Sequence, residues 1–347
     1  MRTLVTGATG FLGSHIVERL LAQGHEVHAL ARRTSDLSHL RTTSAAIVFG
    51  DVEDYDSLVP ALRGIDVVYH AAARVTPGWG SWKQFRASIV EGTENMLRAS
   101  AVAGVSRFLH VSTGSVHGKA CEGAVPATES TPCEVEFCPD TYYDCAKLEA
   151  EKIAFDYHNK GKLPVSMIRI ATVYGPRDRL LADRVYRHMS TRIIFWPGRA
   201  NPRYSIVHVT EAADFAVLAA TSDIAAGRVY NVAPPHEIRF RDFAAAMIKA
   251  IGGPRVQVTI PYALGYIWCA LMEGWSRLRN VQEMPYLTRS GLRFLNRGLY
   301  LDGTRAREEL GWEPRLSMEE GTRLYVQWRR DHQKICLPAE CVHSLGQ

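Results

Sequence analysis

Tyr143 and Lys147 stand four residues apart in the stretch Tyr142-Tyr143-Asp144-Cys145-Ala146-Lys147. On a helix that spacing puts both side chains on one face. A lysine ammonium beside a phenol favours the phenolate, so it lowers the tyrosine pKa from about 10. A tyrosine tuned in this way is a general acid or base near neutrality, and the same lysine can hydrogen-bond a ribose. Tyr142 is the poorer candidate, because its i+4 residue is Ala146. A third group comes from Val111-Ser112-Thr113-Gly114-Ser115-Val116-His117-Gly118. Hydroxyls that end a strand of a parallel sheet point toward the ligand crevice. One of the three can hold a substrate oxygen for Tyr143, while the others satisfy the turn's own backbone.

Tyr-x-x-x-Lys recurs by chance in long proteins, so its setting decides its meaning. Arg2–Thr6 reads as a β-branched, mostly apolar strand that runs into Gly7-Ala8-Thr9-Gly10-Phe11-Leu12-Gly13 and then a helix over about 11–23. Strand, glycine turn and helix present backbone N–H groups and a positive helix end to a pyrophosphate. Gly7 permits the tight turn, Gly10 the close approach of phosphate, and Gly13 the packing of helix on strand. Further strands are expected at 26–31, 46–50, 66–70, 107–112 and 165–170, with helices near 55–62, 82–103 and 141–160 between them. Strands joined by helical crossovers predict a doubly wound parallel sheet. After Tyr174-Gly175-Pro176 the pattern loosens. Ser205–Val209 and Arg228–Val232 read as returns to the first domain. The fold expected is therefore α/β, a doubly wound parallel (Rossmann) sheet with a smaller C-terminal α/β substrate lobe. The dinucleotide-binding domain takes 1–176 plus about 203–233, the substrate lobe about 177–202 and 234–330, and a tail 331–347.

The 347 residues are 46% hydrophobic and 22% charged with a formal charge of +5, which argues against a disordered chain and against a multi-span membrane protein. No run of like charges marks a nucleic-acid partner. The seven cysteines at 121, 133, 138, 145, 269, 336 and 341 include no C-x-x-C pair and no histidine cluster at zinc spacing, so no metal site is expected. Reduced thiols, and a first strand that begins at Arg2 with no secretory signal before it, suggest a cytoplasmic protein.

GATGFLG, Asp51-Val52 after the third strand, His70 to Ala73 after the fourth, STGSVHG, YDCAK and VYGP together resemble the extended short-chain dehydrogenase/reductase superfamily. Segments VHV (207–209), RVYNVA (228–233) and REELGWEP (307–314) extend the resemblance over nearly the whole chain. The region from Pro285, with the apolar IPYALGYIWCALMEGW before it, is most similar to the 3β-hydroxysteroid dehydrogenase branch. That branch also holds sterol dehydrogenases and 2-alkyl-3-oxoalkanoate reductases. The resemblance implies Thr113 as the substrate-orienting hydroxyl, Tyr143 as acid/base, and Lys147 as its tuner and ribose ligand. It places Gly7, Thr9, Gly10, Phe11, Leu12 and Gly13 at the pyrophosphate, Asp51 and Val52 at the adenine, Ala71, Ala72 and Ala73 along the cofactor, and Thr172 and Val173 near the nicotinamide. Three positions depart from the family pattern: His117 stands where tyrosine is usual, Ile89 where asparagine is, and Ile170-Ala171 where Pro-Gly is. A homodimer through two helices per subunit is usual for the superfamily.

A carboxylate at the end of the second strand would bind a ribose 2′-hydroxyl and repel a 2′-phosphate. Ala31 takes that place and Arg32-Arg33 follow, and guanidinium groups suit a phosphate. NADP(H) is therefore expected over NAD(H), with an apolar small molecule as substrate. The stretch 260–279 suits a lid over that substrate, a core helix, or a helix at a membrane surface, and these alternatives stay open. The competing activity is that of a nucleotide-sugar epimerase or dehydratase, which would use Arg177, Arg203 and Arg239 for a diphosphate.

Overall fold

The computed structural model describes residues 1–76, 78–279, 285 and 287–333. Cys336, Cys341 and residues 334–347 of the expected tail lie outside the described residues. The first six strands are β1 (Arg2–Thr6), β2 (Glu26–Ala31), β3 (Ala46–Phe49), β4 (Val67–His70), β5 (Arg107–Thr113) and β6 (Val165–Ile170). There follow β7 (Thr172–Tyr174), β8 (Ile193–Pro197), β9 (Arg203–Tyr204), β10 (Ile206–His208), β11 (Val229–Val232), β12 (Ile238–Arg239) and β13 (Val256–Ile260). Helices α1 (Phe11–Ala22), α2 (Tyr55–Ala61), α3 (Trp82–Phe85), α4 (Gly92–Val102) and α5 (Tyr142–Asn159) belong to the first half. The second half has α6 (Ala182–Met189), α7 (Val209–Thr221), α8 (Phe240–Ile251), α9 (Tyr262–Leu278), α10 (Arg289–Arg297), α11 (Thr304–Leu310) and α12 (Met318–Gln333).

Seven strands form one sheet in the order β11-β6-β5-β4-β1-β2-β3, every pair parallel. β4 and β6 are buried along their whole length, as strands covered on both faces are. Alternation sends Leu4, Leu30 and Val68 toward α2 and α4, where they meet Leu58, Met96 and Leu97. Val5, Ala29 and Tyr69 face the other way, onto Ile16 and Leu20 of α1 and Phe215 of α7. The register pairs Thr6 with His70, and Ser112 and Thr113 with Arg169 and Ile170. The carboxyl ends of the central strands thus form one edge.

A second core lies beyond this sheet. Tyr186, Trp196, Tyr204, Phe240, Phe243 and Met247 pack with Tyr325 of α12. Of the two late strands expected to return to the first domain, Val229–Val232 joins the main sheet beside β6. Ile206–His208 instead pairs with β7 as a separate two-stranded sheet. The cause is local: β7 starts two residues after β6 ends, and it takes β10 as its own parallel neighbour, although Val207 still packs into the main core.

Candidate active site

The first edge element is the turn from β1 into α1. Gly7 has φ +66°, and a Cβ there would lie 2.8 Å from the Ala71 carbonyl oxygen. A Cβ on Gly13 would lie 2.2 Å from the Gly7 carbonyl oxygen, so helix and turn meet only because both residues lack side chains. Gly10 is the N-cap of the twelve-residue α1, and no side chain caps it. The amides of the first turn stay open beside exposed Thr9 and Gly10 and half-buried Phe11 and Leu12. Ala71, Ala72 and Ala73 continue the same wall, where the Ala72 N–H donates to Thr6 Oγ1 at 3.1 Å. At the far end, the Thr172 hydroxyl is buried with no hydrogen-bond partner among the described residues, and Val173 beside it is half-buried. An anion cradle at one end and an unsatisfied polar atom at the other fit a dinucleotide lying along this edge.

Thr113 ends β5, and Tyr143 and Lys147 rise from the first turns of α5. Burial and the neighbouring Asp144 carboxylate hold the Tyr143 phenol above its ordinary value. That is opposite to the direction the Tyr–Lys spacing suggests. The reason is geometric: the Lys147 ammonium donates to the Val111 carbonyl at 2.8 Å. Burial also brings Lys147 down to about 8, although Glu151 opposes the shift. Thr113 Oγ1 lies 2.9 Å from Ser115 Oγ, and Ser115 donates to Asp144. The third hydroxyl, Ser112, donates instead to buried Glu151. So Thr113 and Ser115 stay at the edge, while Ser112 belongs to the support behind it.

That support was not read from the sequence. Glu151 continues the Tyr143–Lys147 face by another four residues, which was the available signal. It makes a two-pronged pair with Arg169 of β6, with contacts of 2.7 and 3.1 Å. His117, where the family has tyrosine, is buried against Arg169, its Nε2 3.4 Å from Nη1. Ile89 is fully buried with Phe85, Ala146 and Ala150. It sits in a π-helical stretch, Arg86–Glu91, and packs on α5, the helix that carries Tyr143. Ile170 and Ala171 are buried core residues at the β6–β7 break.

Arg32 and Arg33 line a cleft of about 460 Å³ with Thr34, Phe49, Gly50 and Asp51. Both arginines are exposed, and Arg33 lies 5.0 Å over the Phe49 ring. The Asp51 carboxylate accepts from the Glu53 N–H, and the Val52 carbonyl accepts from Asn95. In the second half, α9 buries only Gly265, Cys269 and Glu273. Leu264, Ile267, Trp268, Leu271 and Trp275 are exposed, which removes the core-helix alternative. Arg277 lies 5.6 Å over the Trp79 ring, and Arg293 of α10 pairs with Asp140 just before α5. The α9–α10 pair therefore borders the site. Among the described residues, no helix is long and apolar enough to cross a membrane, and no acidic, histidine or cysteine cluster could hold a metal ion.

The model of the NAD dependent epimerase/dehydratase family matches residues 3–233. The chain is 30% identical to a 2-alkyl-3-oxoalkanoate reductase of Shewanella oneidensis over 329 residues, 91% of this chain and 83% of the relative. Sterol demethylase protein B of Methylococcus capsulatus is also 30% identical, over 96% of this chain and all (100%) of the relative. A crystal structure of dTDP-glucose 4,6-dehydratase from Streptomyces venezuelae, with NAD bound, superposes with a TM-score of 0.77 at 25% identity, over 96% of this chain and 98% of that one. Glycine turn, parallel sheet and family match agree: the chain belongs to the NAD-dependent epimerase/dehydratase family, in the extended short-chain dehydrogenase/reductase superfamily, and is an NAD(P)-dependent oxidoreductase.

Proposed function

We propose that the protein interconverts a secondary alcohol and a ketone on a steroid-like or long-chain apolar substrate, with Thr113, Tyr143 and Lys147 as the catalytic set. The observation that carries this reading is α9, whose apolar side chains stand exposed at the border of the site. The arginines a sugar diphosphate would need are committed elsewhere. Arg177 is two-pronged on Glu18, Arg203 pairs with Glu237, and Arg239 donates to the Asn201 carbonyl. The reductase and the sterol protein similar to this chain bear names of the same substrate kinds.

A nicotinamide cofactor held along the glycine turn and the Ala71–Ala73 wall would supply the hydride chemistry. The chain's own residues handle the oxygen and its proton. Tyr143, held protonated, is set to donate to a ketone oxygen. Thr113 fixes that oxygen at the end of β5. Lys147, one turn along α5 on the same face, would hold the cofactor ribose through its ammonium, beside the Val111 carbonyl it already meets. Arg32 and Arg33 select NADP(H) by meeting the 2′-phosphate in their cleft. An apolar substrate partitions into lipid, and α9, with Arg277 and Arg279 at its end, suits contact with a membrane surface.

Absorbance at the nicotinamide band, followed with sterol ketones, 3-oxoacyl compounds and nucleotide sugars, tests the reading. Stoichiometric oxidation of NADPH on the apolar panel is the expected result. Product formation from nucleotide sugars without net cofactor change would establish the epimerase or dehydratase alternative. Full activity in Tyr143→Phe would remove the assigned chemistry. Arg32→Ala with Arg33→Ala should weaken NADP(H) far more than NAD(H), and equal effects refute the cofactor assignment.

A further inference from the structure

Asp144 directly follows Tyr143, and its carboxylate Oδ1 accepts a hydrogen bond from Ser115 Oγ. Ser115 Oγ in turn lies 2.9 Å from Thr113 Oγ1. The Ser115 backbone N–H also donates to Thr113 Oγ1, at 3.3 Å. Three side chains from two elements, the end of β5 with its following turn and the start of α5, thus form one unbroken chain of hydroxyls ending on a carboxyl. The geometry points to Asp144 as a positioning residue that, through Ser115, decides whether Thr113 offers a proton to the substrate oxygen. This inference rests on the role proposed for Thr113.

The direction of the chain follows from counting protons. A carboxylate only accepts, whereas a carboxylic acid also donates. With Asp144 ionised, the Ser115 hydroxyl must donate to it, and the free lone pair of Ser115 then takes the Thr113 proton. A Thr113 hydroxyl that keeps that bond faces the site with lone pairs alone, which is the wrong polarity for a ketone oxygen, so Ser115 competes with the substrate for the Thr113 proton. With Asp144 protonated, the acid donates to Ser115, Ser115 donates to Thr113, and the Thr113 proton is released toward the substrate. The ketone then receives two donors, Tyr143 and Thr113. No covalent bond changes; three hydrogen bonds reverse together.

Electrostatics place this reversal within reach. Burial of the carboxyl raises Asp144 to about 7, although the Ser115 hydrogen bond pulls the other way. The titratable groups that feel its charge are Tyr143 and Cys145 on its own helix and Cys121 from the 114–121 segment. Burial raises all three, so all are neutral around pH 7. The nearest cation along α5, Lys147, is directed to the Val111 carbonyl. The sign is therefore fixed: ketone reduction is supported below about pH 7 and weakens as pH rises through it.

The test is the pH profile of kcat/KM for NADPH-dependent reduction of a ketone from the apolar panel, between pH 5.5 and 9, in four proteins. The wild type should show a fall of about tenfold centred near neutrality, carried mainly by KM, since one directed hydrogen bond is worth about 1–1.5 kcal/mol. Asp144→Asn replaces the acid with an amide that donates to Ser115 at every pH. It should abolish the inflection near pH 7 and leave only the separate fall that follows Lys147 at about pH 8. Ser115→Ala keeps the carboxyl but cuts the relay, so the inflection should disappear there too. If it persists in Ser115→Ala at any pH, Asp144 acts by charge on Tyr143 and the relay is wrong. An unchanged inflection in Asp144→Asn overturns the proposal outright. Thr113→Val separates this from the broader reading. If it loses activity while the Asp144→Asn profile matches wild type, only the relay fails. If it retains full activity, the role of Thr113 fails and the relay with it.

Discussion

Two glutamate–arginine pairs hold the two helices that matter most, and they are built differently. Glu151 on α5 and Arg169 on β6 have side chains only 3% and 7% exposed, and Ser112 of β5 adds a further bond to the same carboxylate. Glu273 on α9 is 5% exposed, but its partner Arg289 at the start of α10 is 32% exposed. The first pair locks the Tyr143 helix to two central strands. The second attaches a helix that buries only Gly265, Cys269 and Glu273, each four residues from the next. Acid–base chemistry needs its groups fixed to fractions of an ångström. Accommodation of a bulky apolar molecule needs an element that is cheap to displace. The contrast between the pairs shows the same ion-pair chemistry used for rigidity in one half and for tethering in the other.

The largest effect should follow from breaking the first pair. Glu151→Ala leaves a guanidinium buried beside His117 with its main partner gone. A cost of about 3–5 kcal/mol is expected in urea unfolding, and kcat should fall with it because α5 loses its anchor. A volume-matched double replacement, Glu151→Leu with Arg169→Met, removes both charges and should recover most of that stability. If it also restores kcat, the pair supplies only stability and the contrast drawn above collapses. Glu273→Ala should cost less, about 1–2 kcal/mol, because Arg289 can turn to water. Its signature should be a several-fold rise in KM for the apolar ketone at nearly unchanged kcat. A loss of kcat equal to that in Glu151→Ala would show that α9 is as much a part of the rigid frame as α5.

How legible these halves were in the sequence follows the same line. The glycine turn and the strands at 26–31 and 165–170 were readable because strand periodicity and backbone requirements are local properties. The 82–103 stretch was helical as expected, but its π-helical middle at 86–91 was not foreseen, since it depends on how Ile89 packs on α5. Proximity of Tyr143 and Lys147 in sequence gave their shared face. It did not give the direction of the lysine, which a carbonyl 36 residues earlier decides. Ser115 and Asp144 are 29 residues apart and carry no motif, so their contact exists only in the fold. For α9 the difficulty was different. A helix apolar on most sides has no preferred inner face, so its sequence alone fits lid, core and surface helix equally.

The smallest effect on stability should come from the exposed face of α9, and it tests the comparison most directly. Trp268 is 62% and Leu271 65% exposed. Side chains already in water lose little when they become polar, so Trp268→Ser with Leu271→Ser should change unfolding free energy by no more than about 0.5 kcal/mol. The same double variant should raise KM for the apolar ketone and reduce sedimentation with lipid vesicles, leaving kcat and NADPH affinity intact. A loss of several kcal/mol, dependent on protein concentration, would mean that this face is covered by a second copy of the chain. In that case α9 is an assembly surface, and the tethered helix at the border of the site is as fixed as the one that carries Tyr143.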